Sequence, residues 1–288
     1  MTSQNPIPPL DPRPRERRQR VQAAETGMAI LKGLADLGGR ATLTALSARV
    51  SESAAKVHRY LASLSEEGLV SQDAATQQYF LGPEAIRIGV AAMRQADPLR
   101  AAEPALVRLR ETLEVTCFIA VMGNRGPTIV RFEEPGLPVT VNVRVGSVLS
   151  LLWSATGRAF LGYLDEGAVQ AMAKEELANS SPERRALLDA KQPIEALRRE
   201  VRDAGCASVR DINLRGISAV SAPLHDHTGR VCAVLTALGA TGGFDAAVGG
   251  AIASAVRREA AAISATLGFP KPPPDCDPEE SAAIARTA

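Results

Sequence analysis

The chain lacks an excess of charge of either sign. Its 33 Lys and Arg residues balance 32 Asp and Glu residues, which leaves a formal net charge of +1. A strongly basic protein attracts nucleic acid over its whole surface, and this balance excludes that argument. Any positive field must therefore come from a local asymmetry of charge.

Metal-ligand patterns are missing as well. The chain has four cysteines and three histidines, and no two cysteines are spaced as C-x-x-C. His225 and His227 flank Asp226 in a predicted turn, a pattern more typical of a surface turn than of a metal site. Unpaired thiols fit reduced, buried cysteines in a cytoplasmic protein. We therefore expect no metal ion, no cofactor and a cytoplasmic location.

Long apolar runs and catalytic motifs are also absent. No run of 18 apolar residues occurs in the sequence, so no membrane span or membrane partner is expected. There is no phosphate-binding loop and no dinucleotide-binding glycine pattern. Ser218 lies in "GISAV", which does not match the G-x-S-x-G turn of a serine hydrolase. We therefore expect no enzymatic activity.

A local charge asymmetry is present at the start of the chain. The stretch "PRPRERRQR" carries five arginines against one glutamate. Its richness in Pro and Arg predicts a disordered basic arm over residues 1–20. The arm is either solvated or in contact with DNA phosphates or a minor groove.

Three helices and a hairpin are predicted next. Helices are expected over residues 22–37, from Thr42 or Thr44 to Val50, and from Ser51 or Ser53 to near Gly68. "LVSQDAATQQYFLG" then indicates two short strands around a polar loop. This order is that of a winged helix-turn-helix, which we assign to residues 21–83.

The third helix has two distinct faces. At about 100° per residue, Leu61 and Leu64 fall near Val57, while Arg59 and Lys56 fall away from them. The apolar face is expected to pack on the first two helices. The basic face either enters a DNA groove or is an ordinary solvated surface. The adjoining hairpin and the basic arm favour the groove.

The remainder of the chain predicts an α+β domain. A linker helix is expected over residues 84–97 and a second domain over 98–268, with a disordered tail over 269–288. Strand-like runs such as "VTCFIAVM" and "PVTVNV" are followed by helices and then by strands such as "RVCAVLTALG". A long Ala-rich helix is predicted over residues 244–267. Strands, helices and strands again indicate an antiparallel sheet.

These motifs resemble the IclR family of bacterial transcriptional regulators. The resemblance rests on "KVHRYLASLSEEGLV", "YFLGPEAIRIG", "VRVGSVLSLLWSATGRAFLGYL" and "GCASVRDINLRGISAVSAPLHDHTGRVCAVLTALG", and covers roughly residues 22–268. It implies a homodimer, or a dimer of dimers, that binds double-stranded operator DNA. It also implies a GAF-like second domain that binds a small organic acid and controls repression or activation.

The resemblance assigns DNA-binding roles to positions in the first domain. The positions implied are Thr44, Ser53, Ala54, Ala55, Lys56, His58, Arg59, Ser63, Thr76 and Gln77. The family usually has Gly where this chain has Ser51, and a hydroxyl residue where it has Ala55. The wing from Asp73 to Gln78 lacks Arg and Lys, so we expect its electrostatic contribution to be small.

The resemblance also assigns an effector pocket. The positions implied are Val141, Leu149, Ala155, Thr156, Gly157, Val209, Asp211, Ile217, Ala219, Thr236 and Leu238. Leu238 stands where the family often has a hydroxyl, which favours an aromatic or hydrophobic acid over a small keto acid. For each apolar position, plain core packing is the alternative. For the whole chain, the alternative is a ligand-insensitive DNA-binding or interaction module.

Overall fold

The structure, a computed structural model, describes residues 21–136 and 143–270. The chain divides into two compact units, one ending at Gln95 and the other beginning at Ala96. The predicted arm (residues 1–20), most of the predicted strand "PVTVNV" and residues 271–288 of the predicted tail lie outside the described residues.

The first unit contains three helices, a small sheet and a fourth helix. In chain order the elements are α1 Gln22–Asp36, β1 Arg40–Ala41, α2 Leu43–Val50, α3 Ala54–Glu66, β2 Val70–Gln72, β3 Tyr79–Leu81 and α4 Pro83–Met93. The antiparallel sheet has the order β1-β3-β2. Leu34, Leu46, Val57 and Leu61 form the buried core of the helices. This is the predicted winged helix-turn-helix, with the two-residue strand β1 as an addition.

The turn between α2 and α3 is sharp and capped at both ends. The Oγ1 atom of Thr42, not Thr44, caps α2 by accepting from the amide of Ala45 at 3.2 Å. Ser51 ends α2 with a left-handed φ of 54°. The Oγ atom of Ser53 then accepts from the amide of Lys56 at 3.4 Å and caps α3. Ser51 therefore adopts a conformation that favours glycine.

We predict that Ser51→Gly stabilises the first unit. A left-handed residue with a side chain costs roughly 1 kcal/mol, so glycine should raise the free energy of unfolding by up to about 1 kcal/mol. The control is Ala62→Gly on the exposed face of α3, which should cost about 1 kcal/mol. Chemical denaturation measures both. A loss of stability in Ser51→Gly would contradict the strain at this turn.

The second unit is built on a five-stranded antiparallel sheet. Its elements are α5 Pro98–Leu113, β4 Thr116–Gly123, β5 Gly126–Glu133, α6 Ala155–Tyr163, α7 Gly167–Ala178, α8 Pro182–Arg185, α9 Pro193–Ala204, β6 Ala207–Arg210, β7 Ile217–His225, β8 Val231–Ala240 and α10 Ala251–Thr266. The strand order is β5-β4-β8-β7-β6. The predicted α+β class with an antiparallel sheet is confirmed.

Helices cover both faces of this sheet. Along β4, Cys117 and Ile119 join the core formed with α5 and α10, while Phe118 and Ala120 join the core formed with α6, α7 and α9. This alternation follows from the two-residue period of a strand. The second of these cores borders the candidate effector site.

The predicted helix over residues 244–267 is wrong at its start. The helix α10 begins at Ala251, after Gly250 in an extended conformation. Before it, the carboxylate of Asp245 accepts from the amide of Ala247 at 3.0 Å and holds a turn, and Phe244 is buried in the core. Gly249 and Gly250 disfavour a helix here, and the Asp245 carboxylate competes for backbone amides. Together they interrupt an otherwise helical pattern.

Candidate functional site

The helix α3 separates its apolar and polar faces as expected. Val57, Leu61 and Leu64 are buried in the core of the first unit. Residues proposed to face DNA are exposed, namely Ser53, Ala54, Ala55, His58, Arg59 and Ser63. Thr44, in the first turn of α2, is exposed as well. Within the first unit, this side of the helix is exposed to solvent. Exposure does not identify what binds there, so the assigned DNA-binding roles stay predictions.

The two cations of α3 are not equivalent. The Nζ atom of Lys56 lies 2.6 Å from Oε1 of Glu52, and both side chains are about one-third exposed. Arg59 is exposed and has no ion pair among the residues the structure describes. Because Glu52 offsets the charge of Lys56, Arg59 is the side chain on this face with uncompensated positive charge.

The wing is closed by its own side chains. The carboxylate of Asp73 accepts from the amides of Ala75 and Thr76 at 2.9 and 3.1 Å. The hydrogen bond from the Thr76 amide is the main cause that lowers the pKa of Asp73. Gln77, with a φ of 57°, donates through Nε2 to the carbonyl of Ala74 at 2.9 Å. Thr76 and Gln77 are both exposed, but the side chain of Gln77 is already engaged inside the turn.

The structure brings a cation to the wing that sequence reasoning missed. Arg40 in β1 pairs with Phe80 in β3, and its guanidinium carbon lies 5.0 Å from the Phe80 ring centroid. Its Nη1 atom lies 3.2 Å from Oδ2 of Asp73. The wing itself contains no Arg or Lys, as the sequence shows, but β1 places one arginine beside it. A two-residue strand carries no periodicity, so no local signal predicted this contact.

The predicted effector positions meet at one cavity of the second unit. Eight of them line it: Leu149, Ala155, Thr156, Val209, Ile217, Ala219, Thr236 and Leu238. The wall is completed by five residues that were not predicted: Phe118, Val143, Ser154, Asn213 and Leu214. The cavity therefore lies between the sheet, the start of α6 and the loop after β6.

A chain of buried hydroxyls forms the polar part of the cavity wall. Thr156 and Thr236 are hydrogen-bonded through Oγ1 at 2.9 Å, and Thr236 is hydrogen-bonded to Oγ of Ser221 at 2.8 Å. All three side chains are buried. Three hydroxyls carry three protons and use two between themselves, so the chain can present a donor or an acceptor at Thr156.

The start of α6 adds backbone donors. The Oγ atom of Ser154 caps this helix by accepting from the amide of Gly157 at 2.9 Å. Ala155 and Thr156 are the first two residues of α6, before Gly157, so their amides have no acceptor within the helix. They lie at the positive end of the helix dipole, which favours an anion. The cavity therefore combines apolar walls with hydroxyl and amide donors.

The turn before α6 is held rigidly from the side. The carboxylate of Glu176 accepts from the amides of Leu151 and Leu152 at 2.9 and 3.3 Å and is hydrogen-bonded to the hydroxyl of Ser150. The indole of Trp153 is buried and donates to Oγ of Ser180 at 3.1 Å. Trp153 is thus a core anchor of this turn.

Of the three other predicted effector positions, two do not line the cavity and one is not described. Val141 lies outside the described residues. A Cβ atom on Gly157 would lie 2.0 Å from the carbonyl oxygen of Ser150, so this glycine serves close packing with the preceding turn. Asp211 is exposed, and its carboxylate accepts from the amide of Gly216 at 2.7 Å. Gly157 and Asp211 are therefore corrected from lining residues to supporting residues.

No charged side chain lines the cavity within the part of the chain that the structure describes. Three arginines adjacent in sequence to lining residues, Arg144, Arg210 and Arg215, are all exposed. An acid bound here would therefore be held by neutral donors and the helix dipole.

The described cysteines are free thiols, and burial makes Cys117 unreactive. Burial raises the pKa of Cys117 to about 12, and the charge of Glu133 adds to this effect. Among residues 21–136 and 143–270, no three His, Cys, Asp or Glu side chains are grouped so that they could hold a metal ion. Over the same ranges, no helix is long and apolar enough to cross a membrane.

A winged helix-turn-helix followed by a second, α+β domain defines a class of protein, the DNA-binding transcriptional regulator. Comparisons with known proteins agree. The family model "Bacterial transcriptional regulator IclR C-terminal" matches residues 90–265, and the model "IclR helix-turn-helix domain" matches residues 23–74. The chain belongs to the IclR family of bacterial transcriptional regulators.

Individual relatives are similar over most of their length. The crystal structure of HmgR from Pseudomonas aeruginosa is 40% identical, with a TM-score of 0.77 over 86% of this chain and 99% of that one. The transcriptional regulator BhcR of Paracoccus denitrificans is 26% identical over 221 residues, 77% of this chain and 78% of that protein. The transcriptional repressor AllR of Klebsiella pneumoniae is 26% identical over 223 residues, 76% of this chain and 80% of that protein. BhcR and AllR are named as a transcriptional regulator and a transcriptional repressor, in agreement with the family models, and the chain is a transcriptional regulator.

We predict that Arg59→Ala weakens binding to the DNA upstream of the protein's own gene by about 1–3 kcal/mol. Lys56→Ala should cost less, because Glu52 already offsets the charge of Lys56. Arg125→Ala removes an exposed charge from the turn between β4 and β5 and is the control. Fluorescence anisotropy at several salt concentrations measures the affinities. An unchanged affinity and footprint in the Arg59→Ala, Lys56→Ala double variant would exclude α3 as the DNA reader.

Proposed function

We propose that this regulator uses the exposed face of α3 to bind operator DNA in the cytoplasm, and that an apolar organic acid in the cavity of the second domain modulates that binding. The observation that carries the second half is the arrangement of the cavity. Apolar side chains line most of the wall, and Thr156, Thr236 and the first residues of α6 line the rest of it together with Ser154 and Asn213. Such a site suits one small anion with an apolar body.

The cavity wall favours a specific class of acid. Burying a carboxylate requires hydrogen bonds to replace its water, and the hydroxyl of Thr156 and the amides of Ala155 and Thr156 are placed to supply them. Phe118, Leu149 and Leu238 offer no donors and suit an aromatic ring or a branched chain. A small keto acid would leave these apolar walls in contact with water. Aromatic acids are therefore the preferred effectors.

We predict that benzoate or phenylacetate raises the melting temperature of the protein more than glyoxylate or pyruvate at equal concentration. Thr236→Val keeps the shape of the wall but removes the hydroxyl that orients Thr156, so it should reduce the shift. The exposed Thr228→Val in the turn between β7 and β8 is the control. Stabilisation by the short polar acids alone would contradict the proposed class of effector.

A second copy of the chain is the proposed partner of α4. This helix has no buried residue, and Ile86, Val90 and Met93 are exposed at a spacing that places them on one face. Ile86 alone is 65% exposed. A row of apolar side chains in water is unfavourable, and a matching helix would cover it. A homodimer also presents two α3 helices to one operator, which increases affinity through linked binding.

We predict that Ile86→Glu combined with Val90→Glu makes the protein monomeric and reduces its affinity for operator DNA at least about tenfold. Ala91→Glu places the same charge on the other side of α4 and should leave the dimer intact. Sedimentation velocity measures the assembly state and anisotropy measures the affinity. A dimer that survives the double substitution would exclude this face of α4 as the interface.

A ligand-insensitive regulator is the second candidate. It is favoured by the small volume of the cavity, about 40 Å³ measured as the space open to the centre of a water molecule. A mobility shift with operator DNA, with and without each acid, separates the two candidates. A DNA complex that ignores every acid supports the second.

A further inference from the structure

Most walls of the cavity are firmly attached to the rest of the second domain. The sheet forms the floor, and α6 is held by the turn that Glu176 binds. The segment carrying Val143 and Leu149 is bonded to β5, since Ile129 donates to the carbonyl of Ser147 at 3.0 Å and Leu149 donates to that of Pro127 at 2.7 Å. Leu149 and the turn before α6 therefore cannot move without breaking hydrogen bonds made by their backbone amides.

The loop between β6 and β7 is different. Residues 212–215, here called the lid, place Asn213 and Leu214 against the cavity. Leu214 is also 43% exposed, so this apolar side chain contacts both the cavity and solvent. The one backbone hydrogen bond of the lid runs from the amide of Ile217 to the carbonyl of Leu214 at 3.1 Å. The lid is therefore attached mainly at its two ends.

Both ends of the lid meet at one carboxylate. Oδ1 of Asp211 accepts from the amide of Gly216 at 2.7 Å and from Oγ1 of Thr241 at 2.9 Å. Thr241 is in turn hydrogen-bonded to Oγ of Ser218 at 2.9 Å. Asp211, Thr241 and Ser218 thus form a clasp that ties the lid to the end of β8.

The backbone at the two ends suits a hinge. Asp211 and Gly216 both have positive φ, 57° and 78°. A left-handed aspartate is strained and is retained here by the hydrogen bonds of the clasp. Loss of those bonds would let this residue relax and the lid move outward.

The cavity is small for the proposed effector. The space open to the centre of a water molecule is about 40 Å³, and pockets that hold organic ligands are commonly larger. We propose that the lid opens to admit the acid and that the clasp controls its opening, with Asp211 as a positioning residue. This inference rests on the proposed function for its ligand, but the motion of the lid can be measured without any ligand.

The test labels a cysteine placed inside the cavity. In Ala219→Cys the thiol lies on the wall, and benzyl methanethiosulfonate can reach it when the lid opens. Peptide mass spectrometry reports labelling of this cysteine separately from the native ones. Adding Asp211→Asn or Thr241→Val should speed labelling about threefold to tenfold, because each weakens or removes a hydrogen bond of the clasp. Thr241→Ser keeps the hydroxyl and should restore the slow rate.

The matched control is Asp226→Asn in the turn between β7 and β8. Asp226 also accepts from a backbone amide and a threonine hydroxyl, those of Thr228, but lies outside the clasp. It should leave labelling of the cavity thiol unchanged. Hydrogen exchange of residues 211–217 in the otherwise native chain, with and without Asp211→Asn, provides a second measurement and should show the same acceleration.

If the clasp variants have the same labelling and exchange rates as the parent protein, the proposal that the clasp controls the opening of the lid is wrong. Equal acceleration by Asp226→Asn would also contradict it. A clasp that controls labelling in a protein whose melting temperature no organic acid raises would support the lid and refute the proposed effector. If organic acids bind but the labelling rate does not depend on the clasp residues, the proposed effector is supported and the proposed lid is refuted.

Discussion

The attachment of α6 to the sheet is the constraint on which the second domain depends. Gly157 lets the helix start lie against the backbone of Ser150 and Leu151, and the hydroxyls of Thr156 and Thr236 join the helix to β8. Buried hydroxyls must find partners, so this contact specifies one position for the helix. That position brings Ser154, Ala155 and Thr156, at the start of the helix, to a cavity whose wall is mostly apolar.

Carboxylates determine which polar groups of this protein are available to a partner. Glu52 offsets Lys56 and leaves Arg59 as the uncompensated cation of α3, while Asp73 holds Arg40 beside the wing. Asp211 binds the ends of a loop where the family resemblance implies a contact with the effector. In each case an ion pair or a hydrogen bond inside the domain competes with a role outside it.

Most of the architecture was predictable because its signals are local. Serine and threonine caps, glycine after helices and strong apolar periodicity predicted α3, α6 and the strands of the larger sheet to within a few residues. The start of α10 was missed because Asp245 and Gly250 break a helix whose composition otherwise favours it. The two-residue strand β1 and the short helix α8 are too brief to show a period.

The sequence by itself determined the two domains, the family and eight of the residues that line the cavity, because the motifs that carry them are contiguous. The tertiary structure alone decided the partners of Lys56, Arg40 and Asp211, and brought Phe118, Asn213 and Leu214 to the cavity. These contacts join distant segments or depend on the path of a loop. Neither hydrophobic periodicity nor local motifs encode which side chains such a path brings together.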